Sequence, residues 1–133
     1  MITSLKLQGF KNFQNAELSL GPLSVMVGTN ASGKSNLRDA FRFLHGISRG
    51  YTLPEIIGEK YIEGGVLQWR GIRGGTREVT FGETSEFALT AELKTGKETV
   101  RYCIRTQLAN EDMQPRVTRE SLSIKSRGFF GWE

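Results

Sequence analysis

Residues Gly28-Thr29-Asn30-Ala31-Ser32-Gly33-Lys34-Ser35 satisfy the pattern G-x-x-x-x-G-K-[ST] at every constrained position. That spacing suits phosphate binding. Gly28 and Gly33 permit backbone angles that a β-carbon would block, so successive N–H groups can turn inward around phosphate oxygens. A helix starting near Gly33 adds unpaired N–H groups and the positive end of its dipole. Lys34 would reach the β- and γ-phosphates, and the Ser35 hydroxyl would ligate a Mg²⁺ that bridges them. These residues point to a nucleotide.

Such a loop works only between a strand and a helix, and both are legible. Leu23-Ser24-Val25-Met26-Val27 reads as a short buried strand. After Ser35, Leu37, Ala40, Phe41, Leu44 and Ile47 recur at helical spacing, which puts Arg38, Asp39 and Arg42 on other faces. Ser48-Arg49-Gly50 should end that helix, with the glycine in the left-handed cap conformation. His45 reads as an ordinary, partly exposed helix residue, because no second ligand or acid stands beside it in sequence. The bland alternative to the whole pattern is a glycine turn that merely caps a helix. The flanking strand and helix favour the phosphate cradle.

Upstream, Ile2, Leu5 and Leu7 define a strand ending near Gly9, and Ala16, Leu18 and Leu20 alternate with polar residues in a second. Turn residues and two aromatics fill Gly9 to Asn15, and Gly21-Pro22 turns the chain into the loop strand. Two such strands suggest an antiparallel flap beside a parallel core. From Tyr51 to Arg77 the periodicity fades into a glycine-rich connection carrying Trp69, Arg70 and Arg73. It reads either as a solvated connection with Trp69 packed on the core, the favoured reading, or as a loop bringing basic and aromatic groups to a ligand. Farther on, Phe87 to Leu93 and Val100 to Ile104 alternate around a turn at Lys94 to Lys97, and Val117 to Ile124 offers a further strand. Lys94, Lys97, Arg101 and Arg105 read as a solvated face. The implied organisation is one lobe: 1–50 with strands, loop and helix, a connection over 51–78, and antiparallel strands over 79–124.

The 133 residues carry a net charge of +4, a mild basic bias that permits nucleic acid without requiring it. Cys103 is the single cysteine, so no intrachain disulfide or cysteine-based zinc cluster can form. No leader-like N-terminus and no membrane-length apolar run is present, so a cytoplasmic protein without a membrane segment is expected. A hydrolase of this kind also needs an apolar strand ending in Asp, often followed by a Glu that polarises water. No Asp or Glu of the chain follows such a run, Glu83 and Glu111-Asp112 included. There is no guanine-reading N-K-x-D stretch either, which weakens a stand-alone kinase or GTPase.

Two stretches carry a resemblance: Leu5-Lys6-Leu7-Gln8-Gly9-Phe10-Lys11-Asn12-Phe13, and Gly21 through the loop to Ser35-Asn36-Leu37-Arg38-Asp39-Ala40-Phe41. The chain resembles the N-terminus of RecF/SMC-like, ABC-type ATPase heads. Among these it is most similar to bacterial AAA family ATPases related to OLD nucleases and anti-phage or abortive-infection ATPases. The resemblance implies an α/β P-loop NTPase lobe with antiparallel strands flanking the strand-loop-helix, and ATP with Mg²⁺ as ligands. Its site residues map to Gly28, Asn30, Ala31, Ser32, Gly33, Lys34, Ser35 and Asn36, with Ser35 on the metal. A metal-sensing glutamine of such heads has Gln68 as its nearest candidate here, the alternative being an ordinary strand-end residue.

The resemblance further implies that two heads clamp ATP between them, so a homodimer or larger assembly and DNA are the expected partners. It also implies that the acidic motif and signature motif come from sequence beyond this stretch. The chain alone is then expected to bind ATP without turnover, as part of a DNA-repair, DNA-processing or antiviral ATPase. The competing reading is a non-hydrolysing regulatory module completed by a partner chain.

Overall fold

The computed structural model describes residues 1–21, 34–108 and 114–126. Alternation in the sequence becomes a five-stranded antiparallel sheet. Its strands are β1 (Ile2–Phe10), β2 (Phe13–Ser19), β5 (Glu86–Thr95), β6 (Glu98–Leu108) and β7 (Pro115–Ser126), in the order β2-β1-β5-β6-β7. β1 is flanked on both sides, with Leu5 opposite Leu18 and Ala91, and Leu7 opposite Ala16 and Leu89. Leu5, Leu7, Leu89 and Ile104 therefore share the buried face. The β5–β6 turn is tighter than expected, because Gly96 at φ 61° lets Thr95 pair directly with Glu98. The β1–β2 connection contracts likewise to Lys11-Asn12, with Phe10 opposite Phe13.

Helix α1 (Lys34–Ser48) lies on the buried face. Leu37, Ala40 and Phe43 are buried, while Phe41, Leu44 and Ile47 pack at the margin. The rings of Phe43 and Phe10 meet Phe87 edge-on at 5.3 and 5.5 Å, the arrangement aromatic quadrupoles favour. Each such ring contributes about 1.5–3 kcal/mol by burial. Gly50, at φ 75°, follows the helix as its cap spacing predicts.

Residues 51–77 depart from the irregular connection expected. They form α2 (Leu53–Ile57), the β3–β4 hairpin (Glu59–Ile62 and Val66–Arg70) and the start of α3 (Gly75–Glu78). These elements are too short to leave a periodic signature. α2 instead begins with a capping box, in which the Thr52 hydroxyl accepts from Glu55 N and the Glu55 carboxylate accepts from Thr52 N. Gly64 and Gly65 supply the positive φ angles of the hairpin turn.

The antiparallel strands are as expected, but the parallel core is not found among the described residues. The proposed loop strand 23–27 lies outside them. So do Gly28, Asn30, Ala31, Ser32 and Gly33, and the acidic pair Glu111-Asp112.

Candidate functional site

Three segments converge on the first two turns of α1. The Lys11-Asn12 turn is held by the stretch after α3: Lys11 N–H donates to Val79 O (2.8 Å) and Phe81 N–H donates to Gly9 O (2.7 Å). Lys11 adopts φ 54°, a conformation that costs a residue bearing a β-carbon, and its side chain turns inward to 5% exposure. Its Nζ donates to the Arg73 carbonyl and stands 3.5 Å from the Asp39 carboxylate.

Asp39 corrects the sequence reading. It belongs not to an outer face of α1 but to the interior, where its side chain is 4% exposed. A charge so placed needs a partner, and Lys11 on one side and Arg73 Nε at 3.3 Å on the other provide two. Arg73 Nη2 also donates to Asn36 Oδ1 (3.0 Å), and Asn36 Nδ2 donates to Asn12 Oδ1 (2.8 Å). One chain of contacts thus runs Asn12, Asn36, Arg73, Asp39, Lys11. It fixes the first turns of α1 against the β1–β2 turn and the loop after β4.

The loop holding Arg73 is itself set by close packing. A β-carbon at Gly71 would stand 1.4 Å from Gly58 O, and Ile72 N–H donates to Ile57 O (3.1 Å). Only glycine lets β4 pass that near the end of α2. Arg73 therefore leaves a rigid anchor, while its side chain remains 57% exposed beside the start of the helix.

The electrostatics at this end of α1 favour an anion. Among the described residues the first turn contains no acidic residue, so no carboxylate there opposes the positive end of the helix dipole. Of the predicted site residues, the structure describes Ser35 and Asn36, both half-buried on the first turn, and the backbone of Lys34. Gln68 is not drawn into this cluster. It is exposed on β4, in a groove with Arg38, Arg42 and Arg70 on the flank of α1.

Sequence reasoning missed Lys11, Asn12, Asp39 and Arg73 as a unit. Periodicity assigns Asp39 outward and the glycine-rich connection hides Arg73, so only the type signal of one acid among the basic residues of a predicted helix could have hinted at them. Trp69 packs as the favoured reading expected: its Nε1 donates to Ile56 O (3.2 Å), and His45 and Tyr51 approach its ring edge-on. His45 is exposed, and Arg101 and Arg105 pair across the strands with Glu92 and Glu86.

The structure thus sets a helix that begins at Lys34 of the glycine-lysine-serine motif against an antiparallel sheet, with Arg73 beside its first turns. The profile of a family described as "AAA domain, putative AbiEii toxin, Type IV TA system" matches residues 23–109, and the chain belongs to this family of AAA-type ATPase domains. It is similar to the chromosome partition protein Smc of Desulfitobacterium hafniense (strain Y51), at 51% identity over 63 residues, 42% of this chain and 5% of that protein. It is also similar to the DNA replication and repair protein RecF of Salmonella paratyphi A, at 33% identity over 87 residues, 64% of this chain and 24% of RecF. These relatives place it with the ABC-type heads. The chain spans a quarter or less of their lengths. No helix among the described residues is long and apolar enough to cross a membrane.

Proposed function

We propose that this chain is the ATP-binding lobe of an ABC-type ATPase head that works on DNA, in repair or processing or in phage defence, within the cytoplasm. The observation that carries the reading is a sequence motif that runs into helix α1. The sequence from Gly28 to Ser35 leads directly into α1, whose first turns are fixed by Asn36, Asp39, Lys11 and Arg73 and carry no acidic residue in the first turn.

In this reading the N–H groups of residues 28 to 33 and the Lys34 ammonium would hold the phosphates of ATP, and Ser35 would hold Mg²⁺. Gln68 is the candidate for the metal-sensing glutamine. Arg73, exposed beside Asn36, would add positive charge at the same end of the helix. Mg-ATP supplies the reactive phosphoanhydride. The chain's own residues bind and orient it, and the acid that polarises water comes from sequence outside this stretch or from a facing head. Association of two heads around ATP follows from that division of labour. The names of Smc and RecF support DNA as the polymer served.

A second reading, a regulatory module that binds nucleotide without turnover and is completed by a partner chain, is favoured by one observation. No Asp or Glu of the chain ends an apolar strand run.

The test is nucleotide affinity with and without Mg²⁺ for the wild type, Lys34→Ala and Ser35→Ala. Loss of binding in Lys34→Ala and loss of the Mg²⁺ dependence in Ser35→Ala are expected. Equal affinity across all three overturns the proposal, and substantial ATP turnover by the 133 residues alone overturns the division of labour.

A further inference from the structure

On the flank of α1, away from the Asn36–Arg73 cluster, a groove of about 390 Å³ opens between the helix and strand β4. Arg38 and Arg42 stand one turn apart on the helix, a spacing that brings their β-carbons to about 5–6 Å. Arg70 and Gln68 line it from β4, and no carboxylate is among its described lining residues. Arg42 is held in place: its Nη1 donates to the Arg70 carbonyl (2.8 Å) and its guanidinium lies 5.9 Å from the Trp69 ring centroid. The side chains of Arg38, Arg70 and Gln68 make no hydrogen bond or ion pair among the described residues. Glu59, the cross-strand partner of Arg70, makes no ion pair with it and instead accepts from the Tyr61 hydroxyl.

Three arginines on one groove, with no carboxylate among its described lining residues, form a site for oxyanions of phosphate type. The Trp69 ring is engaged within the chain, with Arg42 over it and His45 and Tyr51 edge-on to it. The groove is suited to backbone phosphates rather than base edges.

We propose that the Arg38–Arg42–Arg70 groove is a sequence-independent contact for the phosphodiester backbone of nucleic acid. The choice of polymer rests on the reading of a DNA-linked ATPase. Arg38 and Arg70 supply the charge, Gln68 adds a neutral donor, and Trp69 with the carbonyl of residue 70 orients Arg42. Contacts of this kind release counter-ions, so binding must weaken with salt in proportion to the phosphates neutralised.

The experiment measures fluorescence anisotropy of a labelled DNA duplex of about twenty base pairs across a salt series. The proteins are the wild-type chain, Arg38→Ala/Arg70→Ala and Arg38→Lys/Arg70→Lys, with circular dichroism confirming the fold. The alanine pair should weaken binding about tenfold or more and reduce the slope of log K against log salt by about two. The lysine pair should keep most of the slope. Binding of ATP by the alanine pair should stay at the wild-type level, whereas Lys34→Ala should lose ATP and keep the duplex, so the two proposals fail separately.

In a Trp132→Phe background, Trp69 emission should respond to the duplex at concentrations where inorganic phosphate and polyglutamate leave it unchanged. An unchanged affinity and slope in the alanine pair overturns the proposal. So does an equal response to inorganic phosphate, which would mark a small-anion site, or to polyglutamate, which would mark an acidic-peptide site.

Discussion

Removing the carboxylate of Asp39 should be among the most damaging single changes available in this chain. The side chains of Asp39 and Lys11 are 4% and 5% exposed and stand 3.5 Å apart, so deleting one leaves the other charged and away from water. Breaking a buried pair in this way costs about 3–5 kcal/mol. The Arg73 contact adds about 1 kcal/mol or less, because that guanidinium is 57% exposed and already solvated. Against a total stability of about 5–15 kcal/mol, Asp39→Ala should lose about a fifth or more of it. For a domain of this size that corresponds to a fall of about 10–15 °C in Tm.

Replacing both partners, as Lys11→Met with Asp39→Leu, removes the two desolvated charges together and should cost far less than the sum of the single changes. Urea unfolding of the wild type, the two single variants and the double variant closes the cycle. A single variant within 1 kcal/mol of the wild type, or additivity to within about 0.5 kcal/mol, would refute the reasoning.

Other expectations follow from the same geometry. Gly71→Ala must displace β4 from the α2 end, because its β-carbon would overlap Gly58 O; a loss of about 2–3 kcal/mol or more is expected, and a wild-type Tm would contradict it. Thr106 is fully buried and its hydroxyl has no hydrogen-bond partner among the described residues, so Thr106→Val should raise stability by about 1 kcal/mol in urea titrations; a loss would show the hydroxyl is satisfied. The hydrogen bond from Lys60, joined by those from Thr52, holds the Glu55 carboxyl down at about 2. Its contribution is present above the ordinary carboxylate range and is lost as pH falls from about 4.5 towards 2, so unfolding curves of wild type and Glu55→Gln should converge there. Burial, reinforced by the hydrogen bond to Glu120, raises Tyr102 above the usual phenol range. Alkaline difference spectra of Tyr102→Phe should lose a tyrosine that titrates above the usual phenol range, and stability tied to neutral Tyr102 is lost as pH rises beyond about 10.

The local features of this protein were legible because each depends on short-range chemistry. The G-x-x-x-x-G-K-S spacing, the apolar stripe of α1, the alternation of β1, β5 and β6 and the glycine after the helix are properties of a few neighbouring residues. The family was legible for the same reason, since the loop and its flanks form one continuous stretch.

What lay between periodic segments was not legible. The capping box of Thr52 and Glu55 and the hairpin at Gly64-Gly65 are local signals, but α2, β3 and β4 are too short to show a period. The placement of Asp39 was a matter of tertiary structure alone. Helical spacing turns it from the apolar stripe, and only the arrival of Lys11 from one connection and Arg73 from another makes its burial favourable. The same holds for the groove, where Arg38 and Arg42 become a site only when β4 brings Arg70 and Gln68 across from them. The chain sequence determines which residues are proposed to hold a phosphate. Which charges are paired inside, and which are left facing outward for a partner, is decided by the long-range pairing of segments distant in sequence, because the free energy of a buried charge depends on what the fold sets beside it.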